Sequence, residues 1–435
     1  MEIKQITEQN PWWEDKNKIK QDEKVKELLS KKNRLTFSFK EENCLIIGPR
    51  QVGKTTYLKY HIYQLIRNGN NPKNICYFSC DALTNFNQII EIVRFVDDLT
   101  KGKKYFFFDE VTFIKDWQKA IKYLLDSPLG KNKTIYISGS SSVALKKETF
   151  PGRNIKTHYF LPLSFKKFCQ VFGSQNLKKN IISLKSKINP TIILKRGKKL
   201  LFYYQEINKL FRLYLQSGGF PRSIYQLIEK GEISEETYEI YWKWLVADIA
   251  KVERSERISR SVILADLKNY GSRFSLNSVA KEMEIGSHVT IRDYLEILEE
   301  LFVLRNIFPF DFSKKAEVFR KMRKVYFIDP FLFAVFQKNL TKRSPSNEAI
   351  PKIVEGIAAE YLKREFGAVF YLSGKKEVDF FVNQMGIEVK WQNKINKKDF
   401  PKIDLKNKIL LSKNEFKFFP RENLLILPVS IFLLI

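Results

Sequence analysis

The chain has 435 residues, 44% of them apolar, and its 76 Lys and Arg outnumber its 48 Asp and Glu to leave a net charge of +28. That length and apolar content exclude a disordered chain and provide for more than one packed core. No N-terminal stretch has the h-region of a signal peptide, and the longest apolar segments are broken by charge or proline before they could span a bilayer, so a cytoplasmic protein with no membrane partner is expected. The basic excess favours a polyanionic partner, nucleic acid and above all DNA. A lysine-rich, solvated surface of the kind found in thermophiles is the competing account. Cys44, Cys76, Cys80 and Cys169 lie in apolar, strand-like surroundings without the second pair or histidine that a zinc site needs, so buried reduced thiols are expected.

Residues 1–40 read as a polar, helical N-terminal arm, with Asn10-Pro11-Trp12-Trp13 as an apolar anchor. A nucleotide core is expected over 41–165. Cys44-Leu45-Ile46-Ile47 reads as a buried strand; Gly48-Pro49-Arg50-Gln51-Val52-Gly53-Lys54-Thr55 follows it directly, and Thr56 opens an amphipathic helix. Strand, glycine turn and helix in that order are the context of a Walker A phosphate loop. Its backbone N–H groups would surround the polyphosphate of ATP, Lys54 would reach the β- and γ-phosphates, and the Thr55 hydroxyl would ligate Mg2+. Tyr105-Phe106-Phe107-Phe108 is a second strand ending in Asp109-Glu110, the Walker B position. There Asp109 would hold magnesium through water, and Glu110 would polarise the attacking water, which makes hydrolysis the expectation. The bland alternative is a solvated acidic turn. A third strand, Thr134-Ile135-Tyr136-Ile137, runs into Ser138-Gly139-Ser140-Ser141-Ser142, where Ser140 is either a γ-phosphate sensor or a helix cap.

Residues 166–260 read as a helical lid with a lysine-rich insertion, Leu177 to Lys199, followed by amphipathic helices from Phe202 to Ile258. Within them Gly218-Gly219-Phe220-Pro221-Arg222 is a turn that either brings Pro221 against an adenine ring or is an ordinary helix–helix corner. Residues 261–345 read as a winged helix. Ser275 to Met283 forms a short capped helix, Glu284-Ile285-Gly286-Ser287 a turn and Val289 to Leu301 a second helix, with Phe302 to Ile307 and Lys324 to Ile328 as wing strands. Ser287, His288, Thr290 and Arg292 are the candidates for contact with DNA, the alternative being a packing and nucleotide-sensing module. Lys195 to Lys199, and the run from Lys314-Lys315 through Arg320-Lys321-Met322-Arg323-Lys324, concentrate positive charge locally.

Residues 346–435 carry a second chemistry. Val354 to Leu362 reads as a helix, Lys376 to Val382 as a strand and Gly386 to Trp391 as its hairpin partner. Asp379, Glu388 and Lys390 form a D-x8-E-x-K pattern, with Glu388 and Lys390 on one face of their strand. Asp379 and Glu388 could hold Mg2+, Glu355 could complete the metal site, and Lys390 could activate water or stabilise charge on phosphate. The alternative is a structural carboxylate–lysine pairing that has lost its chemistry. The closing run Leu424 to Ile435 reads as a terminal strand on a core.

Together these motifs resemble archaeal and bacterial P-loop ATPases with an AAA-type core and a C-terminal DUF4143-type domain. The resemblance rests on Gly48 to Thr56, Phe108-Asp109-Glu110, Ser138-Gly139-Ser140-Ser141, Gly152-Arg153 with Leu161-Pro162-Leu163-Ser164-Phe165, Gly218-Gly219-Phe220-Pro221, Lys376 to Phe380 with Ile387 to Lys390, and Pro428 to Leu434. It implies an α/β multidomain protein: a parallel-sheet AAA core, a helical lid, a winged helix and a C-terminal α/β domain similar to PD-(D/E)xK restriction endonucleases. It also implies Arg153 as a γ-phosphate arginine, acting within the chain or on a neighbour. One departure is Val378 where that motif has proline before Asp379. AAA-type cores often form rings, while the arm and the attached C-terminal domain suit a monomer, so the oligomeric state stays open. Two functions follow: an ATP-hydrolysing, DNA-binding protein with a magnesium-dependent nuclease domain, or a STAND-like nucleotide switch whose C-terminal domain only binds nucleic acid or protein.

Overall fold

Five short runs form the sheet of the first unit: β1 (Cys44–Ile47), β2 (Ile75–Ser79), β3 (Lys104–Asp109), β4 (Lys133–Gly139) and β5 (Lys156–Tyr159). All pair in parallel, in the order β2-β3-β4-β1-β5. Parallel strands covered on both faces read as continuous apolar runs, which is why β1 and β3 were legible as buried strands. The crossovers carry the helices Lys54–Arg67, Asn87–Leu99 and Trp117–Asp126. Because β4 lies between β1 and β3, the loop after β1 and the last residues of β3 and β4 come together at the carboxyl edge, where open α/β sheets bind ligands.

The computed structural model describes residues 3–35, 40–140, 150–181, 190–319, 322–374 and 376–435. The chain divides into two units, Met1–Leu161 and Pro162–Ile435. In the first, the N-terminal arm covers the edge strand β2. The Asn10 amide donates to the Tyr77 carbonyl at 2.9 Å and accepts from the Tyr77 N–H at 2.7 Å, and the Trp12 and Trp13 indoles donate to the Ile75 carbonyl at 3.0 and 2.8 Å. Gln9 accepts from the Ser79 N–H at 2.8 Å. Side chains thus satisfy backbone groups that an uncovered edge would offer to another chain.

In the second unit the amphipathic pattern folds as Tyr204–Ser217, Pro221–Lys230, Glu235–Lys251 and Glu256–Lys268, and the helix-turn-helix pattern as Leu276–Glu282 and His288–Glu300. Its mixed sheet comprises β6 (Leu304–Asp311), β7 (Ala316–Glu317), β8 (Lys324–Phe327), β9 (Phe370–Leu372), β10 (Val378–Val382), β11 (Met385–Val389), β12 (Asn407–Ser412), β13 (Lys417–Phe419) and β14 (Leu424–Pro428). The order is β13-β14-β12-β11-β10-β9-β6-β7, with β8 on β6.

This sheet crosses the boundary expected at residue 345. β6 pairs with β9 in parallel through Phe308 and Phe370, and the Phe310 ring lies 5.2 Å from Phe370 and 5.0 Å from Phe381. The strands read as a wing are therefore part of the C-terminal sheet, where the Phe310 and Phe370 rings pack, partly buried, against the buried Phe381. The closing segment is a strand only as far as Pro428. A short helix, Val429–Phe432, follows, since proline cannot continue a ladder. All four cysteines are buried free thiols. Among the described residues no helix is long and apolar enough to cross a membrane.

Candidate functional site

At the carboxyl edge of the first sheet, the Walker A residues form a loop that geometry restricts closely. A Cβ on Gly48 would fall 1.9 Å from the Phe160 carbonyl oxygen, so only glycine fits beside β5. Gln51 and Gly53 take φ of +63° and +92°, and Gly53 caps the helix that Lys54, Thr55 and Thr56 begin. Pro49, Arg50 and Val52 complete the turn, with Val52 buried. The Lys54 ammonium folds back over it, donating to the Gly48 and Pro49 carbonyls at 3.0 and 2.9 Å and lying 4.0 Å from Glu110 Oε1.

Asp109, the last residue of β3, is met by hydroxyls. Thr55 Oγ1 donates to Oδ2 at 2.6 Å, the Tyr77 hydroxyl to the same oxygen at 3.0 Å, and Ser138 Oγ to Oδ1. The Glu110 N–H donates to Ser138 Oγ at 3.1 Å, holding Glu110 in a left-handed conformation, φ +54°, that a non-glycine residue adopts only at a cost. Glu110 Oε2 and Ser140 Oγ are buried without a hydrogen-bond partner among the described residues. Buried polar atoms are nearly always satisfied, so two orphans beside a phosphate loop fit a ligand that supplies their partners. The donor set therefore suits ATP with Mg2+: Thr55 and Asp109 would hold the ion, and Lys54 the phosphates. The sequence singles out Ser140 from the segment that Ser138 opens and does not single out Tyr77; polar atoms within the buried strands β2 and β4 were the available signal. Ser141 and Ser142 lie outside the described residues.

Two further candidates have other partners. Arg153 forms a two-pronged pair with Asp126, Nε to Oδ1 at 2.9 Å and Nη2 to Oδ2 at 2.6 Å, so a γ-phosphate role would require breaking it. Pro221 opens its helix after a turn whose glycines have a local explanation. The Gly219 N–H donates to Asp329 Oδ2 at 2.8 Å, its carbonyl accepts the Leu163 N–H at 2.8 Å, and a Cβ on Gly218 would fall 1.9 Å from Asp329 Oδ1. The corner reading accounts for this motif without a base.

In the second unit Glu355, Asp379, Glu388 and Lys390 come together. The Asp379 N–H donates to Glu388 Oε2 at 3.2 Å, the Val389 N–H donates to Asp379 Oδ2 at 3.0 Å, and Lys390 Nζ lies 2.7 Å from Glu388 Oε1. The structure adds a residue that the sequence places both at the end of a basic run and at the start of a wing strand. Lys324, at the start of β8 and 1% exposed, places its ammonium 3.0 Å from Asp379 Oδ1, 3.2 Å from Glu355 Oε1 and 2.6 Å from Glu377 Oε1. The Tyr326 hydroxyl donates to Glu355 Oε1, and Arg273 pairs with Glu377 Oε2 at 2.6 Å.

Burial, then the Asp379 charge, pushes Glu355 and Glu388 above the usual carboxylate range. Burial alone would lower Lys324, but Tyr326 and the carboxylates of Asp379, Glu355 and Glu377 more than reverse it and hold the ammonium well above its ordinary value. Among the described residues no group of three or more His, Cys, Asp or Glu is arranged to hold a metal ion. The expected Asp379, Glu388 and Glu355 set thus assembles around an ammonium. A lysine opening the apolar run Lys324-Val325-Tyr326-Phe327 was the signal, since an unpaired charge there is prohibitive.

Of the helix-turn-helix candidates, Ser287 caps its helix by accepting the Val289 N–H at 3.1 Å, and Arg292 lies 3.4 Å from Asp293 and 3.9 Å from Glu296. His288 and Arg292 line one groove with Asn277, Phe308, Phe319 and Arg323, while Thr290 lies in the first turn of the same helix. Arg323 itself is buried against the Phe308 ring at 4.8 Å. Arg320 and Lys321 lie outside the described residues.

Comparison with known proteins divides along similar lines. Residues 40–169 match the family model of an AAA domain, and residues 208–344 match a domain of unknown function, DUF8612, not the DUF4143 type that the sequence motifs resembled. An uncharacterized protein of Methanocaldococcus jannaschii is 27% identical over 360 residues, covering 78% of this chain and 71% of its own length. An uncharacterized protein of Haemophilus influenzae is 25% identical over 383 residues, covering 82% and 85%. Among solved structures, the Thermotoga maritima RuvB Holliday junction branch migration motor covers 70% of this chain and 88% of its own at 16% identity, with a TM-score of 0.29. Aeropyrum pernix ORC1 in complex with DNA covers 69% and 88% at 10% identity, with a TM-score of 0.31. Scores this low carry no argument about the fold. The family match and the phosphate-loop geometry fall on the same stretch: residues 40–169 are similar to an AAA domain and carry its nucleotide-binding loop.

Proposed function

We propose that the protein hydrolyses ATP and binds DNA, working as a nucleotide-dependent switch whose second unit is a binding module. The observation that carries the ATPase reading is the pair of orphaned atoms, Glu110 Oε2 and Ser140 Oγ, next to the Thr55–Asp109 bond. Magnesium, when bound, would neutralise charge developing on the phosphate oxygens. Thr55 and Asp109 would hold that ion, and Lys54 would exchange the Gly48 and Pro49 carbonyls for phosphate oxygens. Glu110 would orient the attacking water and receive its proton at Oε2, while Ser138 fixes the Glu110 backbone. Ser140 would donate to the γ-phosphate.

DNA binding rests on the net charge of +28 and on the exposed groove lined by His288 and Arg292. The nuclease reading has the assembled Asp379, Glu388 and Lys390 in its favour. Lys324 favours the binding module, because its ammonium already compensates the carboxylates that a catalytic ion would need.

Phosphate release from magnesium ATP is the test, with Lys54→Ala and Glu110→Gln beside wild type. Turnover lost in both, with nucleotide binding kept in Glu110→Gln, supports the ATPase reading; equal turnover in Glu110→Gln overturns it. For DNA, duplex affinity should fall steeply with salt and weaken in Arg292→Ala.

A further inference from the structure

We infer that Lys324 takes the place of a divalent cation in the second unit, making its carboxylate centre an internally neutralised joint that binds no metal. The inference rests on the reading of this unit as a binding module, and it names what has replaced the chemistry.

The residues that a magnesium-dependent centre needs are present, but both oxygens of Asp379 and Glu388 and Oε1 of Glu355 are committed. Asp379 Oδ1 faces the Lys324 ammonium at 3.0 Å, and Oδ2 accepts the Val389 N–H at 3.0 Å. Glu388 divides its oxygens between Lys390 and the Asp379 N–H. Glu355 Oε1 receives both Lys324 and the Tyr326 hydroxyl. An ammonium within about 3 Å of the carboxylates occupies the space of a hydrated magnesium ion and repels a second cation.

Charge points the same way. Glu355, Glu377, Asp379 and Glu388 face Lys324, Lys390 and Arg273, four carboxylates against three cations. Adding a divalent ion would turn a nearly balanced cluster positive inside a buried site. The ammonium is also fixed in place. β8 pairs with β6 at four successive positions, from Leu304 with Phe327 to Ile307 with Lys324, and Val325, Tyr326 and Phe327 are all buried. Withdrawing Lys324 would break that ladder and leave the carboxylates without their partner, so this is a built-in counterion and not a latch.

The experiment is titration of Mn2+ into nucleotide-free, full-length protein, with free ion followed by electron paramagnetic resonance. Wild type and Asp379→Asn should take up Mn2+ equally, and Lys324→Met should gain one site at least tenfold tighter, lost again in Lys324→Met/Asp379→Asn. A wild-type site that Asp379→Asn abolishes overturns the inference. So does a folded Lys324→Met, by circular dichroism, with no added site. Were Lys324→Met to unfold, the comparison of wild type with Asp379→Asn decides alone. Plasmid cleavage by wild type with magnesium, lost in Asp379→Ala, would instead sink the binding-module reading; Mn2+ uptake at Asp379 without cleavage sinks only this inference.

Discussion

Asp109 and Asp379 are both buried aspartates on a sheet strand, and they differ in what meets them. Asp109 receives three hydroxyls, from Thr55, Tyr77 and Ser138, whereas Asp379 receives a backbone N–H and the Lys324 ammonium. Hydroxyls orient a carboxylate and leave its charge to be compensated, while an ammonium compensates it outright. On the proposed function, the first arrangement would receive a cation that arrives with a nucleotide; the second has its cation built into the chain. Donor identity around the carboxylate, more than the carboxylate motif itself, separates a site that awaits an ion from one that does not.

The largest expected effect tests the second half of that comparison. Lys324→Met leaves Asp379, Glu355 and Glu377 facing one another in a buried pocket, and breaking such a buried pair costs about 3–5 kcal/mol. Urea unfolding should show the loss, and millimolar Mn2+ should restore part of it. A loss below about 1 kcal/mol would mean that the carboxylates are already protonated or solvated, and the contrast with Asp109 would fail. Next comes Glu110→Gln in the first unit, which keeps shape but removes the proton acceptor. Turnover should drop by roughly 10²- to 10⁴-fold with nucleotide binding retained, checked by phosphate release and by titration with ATP.

Most of the first unit was legible because two independent signals agreed there. Continuous apolar runs mark strands buried on both faces, and Gly48, Gly53 and Lys54 have the spacing of a phosphate loop between a strand and a helix. Glu388 and Lys390 were legible from alternation along one strand, Asp379 from the cost of charge inside an apolar strand, and Glu355 as the acidic residue of the helix before them. Lys324 was not, although the same cost argument applies to it. It follows Arg320-Lys321-Met322-Arg323, and in a chain of net charge +28 a lysine there reads as one more surface cation. The pairing of β6 with β9 joins residues about sixty apart, and no local pattern encodes it. The merging of the expected wing with the C-terminal sheet was therefore invisible until the chain was folded.

A smaller effect sharpens the contrast through pH. Burial and the Asp379 charge raise Glu355 in the folded state, so its contribution to stability is complete below its unfolded pKa and declines as pH rises through the raised folded value. Stability of wild type should therefore fall between mildly acidic and neutral pH, and Glu355→Gln, which cannot titrate, should flatten that slope in urea melts taken across the range. An unchanged slope would place the titration on another group.

The smallest effect compares two tyrosines that hold the two clusters. The Tyr77 hydroxyl donates to Asp109 Oδ2 and the Tyr326 hydroxyl to Glu355 Oε1, so each phenylalanine variant removes one hydrogen bond and little volume. A hydrogen bond to a charged acceptor contributes about 1.5–3 kcal/mol. In Tyr77→Phe the Thr55 and Ser138 hydroxyls still hold Asp109, which places the cost at the lower end, with ATP turnover changed by less than about threefold because neither the phosphate-facing groups nor Glu110 is touched. In Tyr326→Phe the remaining direct partner of Glu355 Oε1 is the Lys324 ammonium, whose attraction grows as the carboxylate loses its neutral donor, so the variant should depend on Lys324 more than wild type does. A double-mutant cycle of Tyr326→Phe with Lys324→Met measures that dependence. A coupling of about 1 kcal/mol or more is expected where the ammonium is the local counterion, and a value near zero would mean that Lys324 is not the charge on which Glu355 relies.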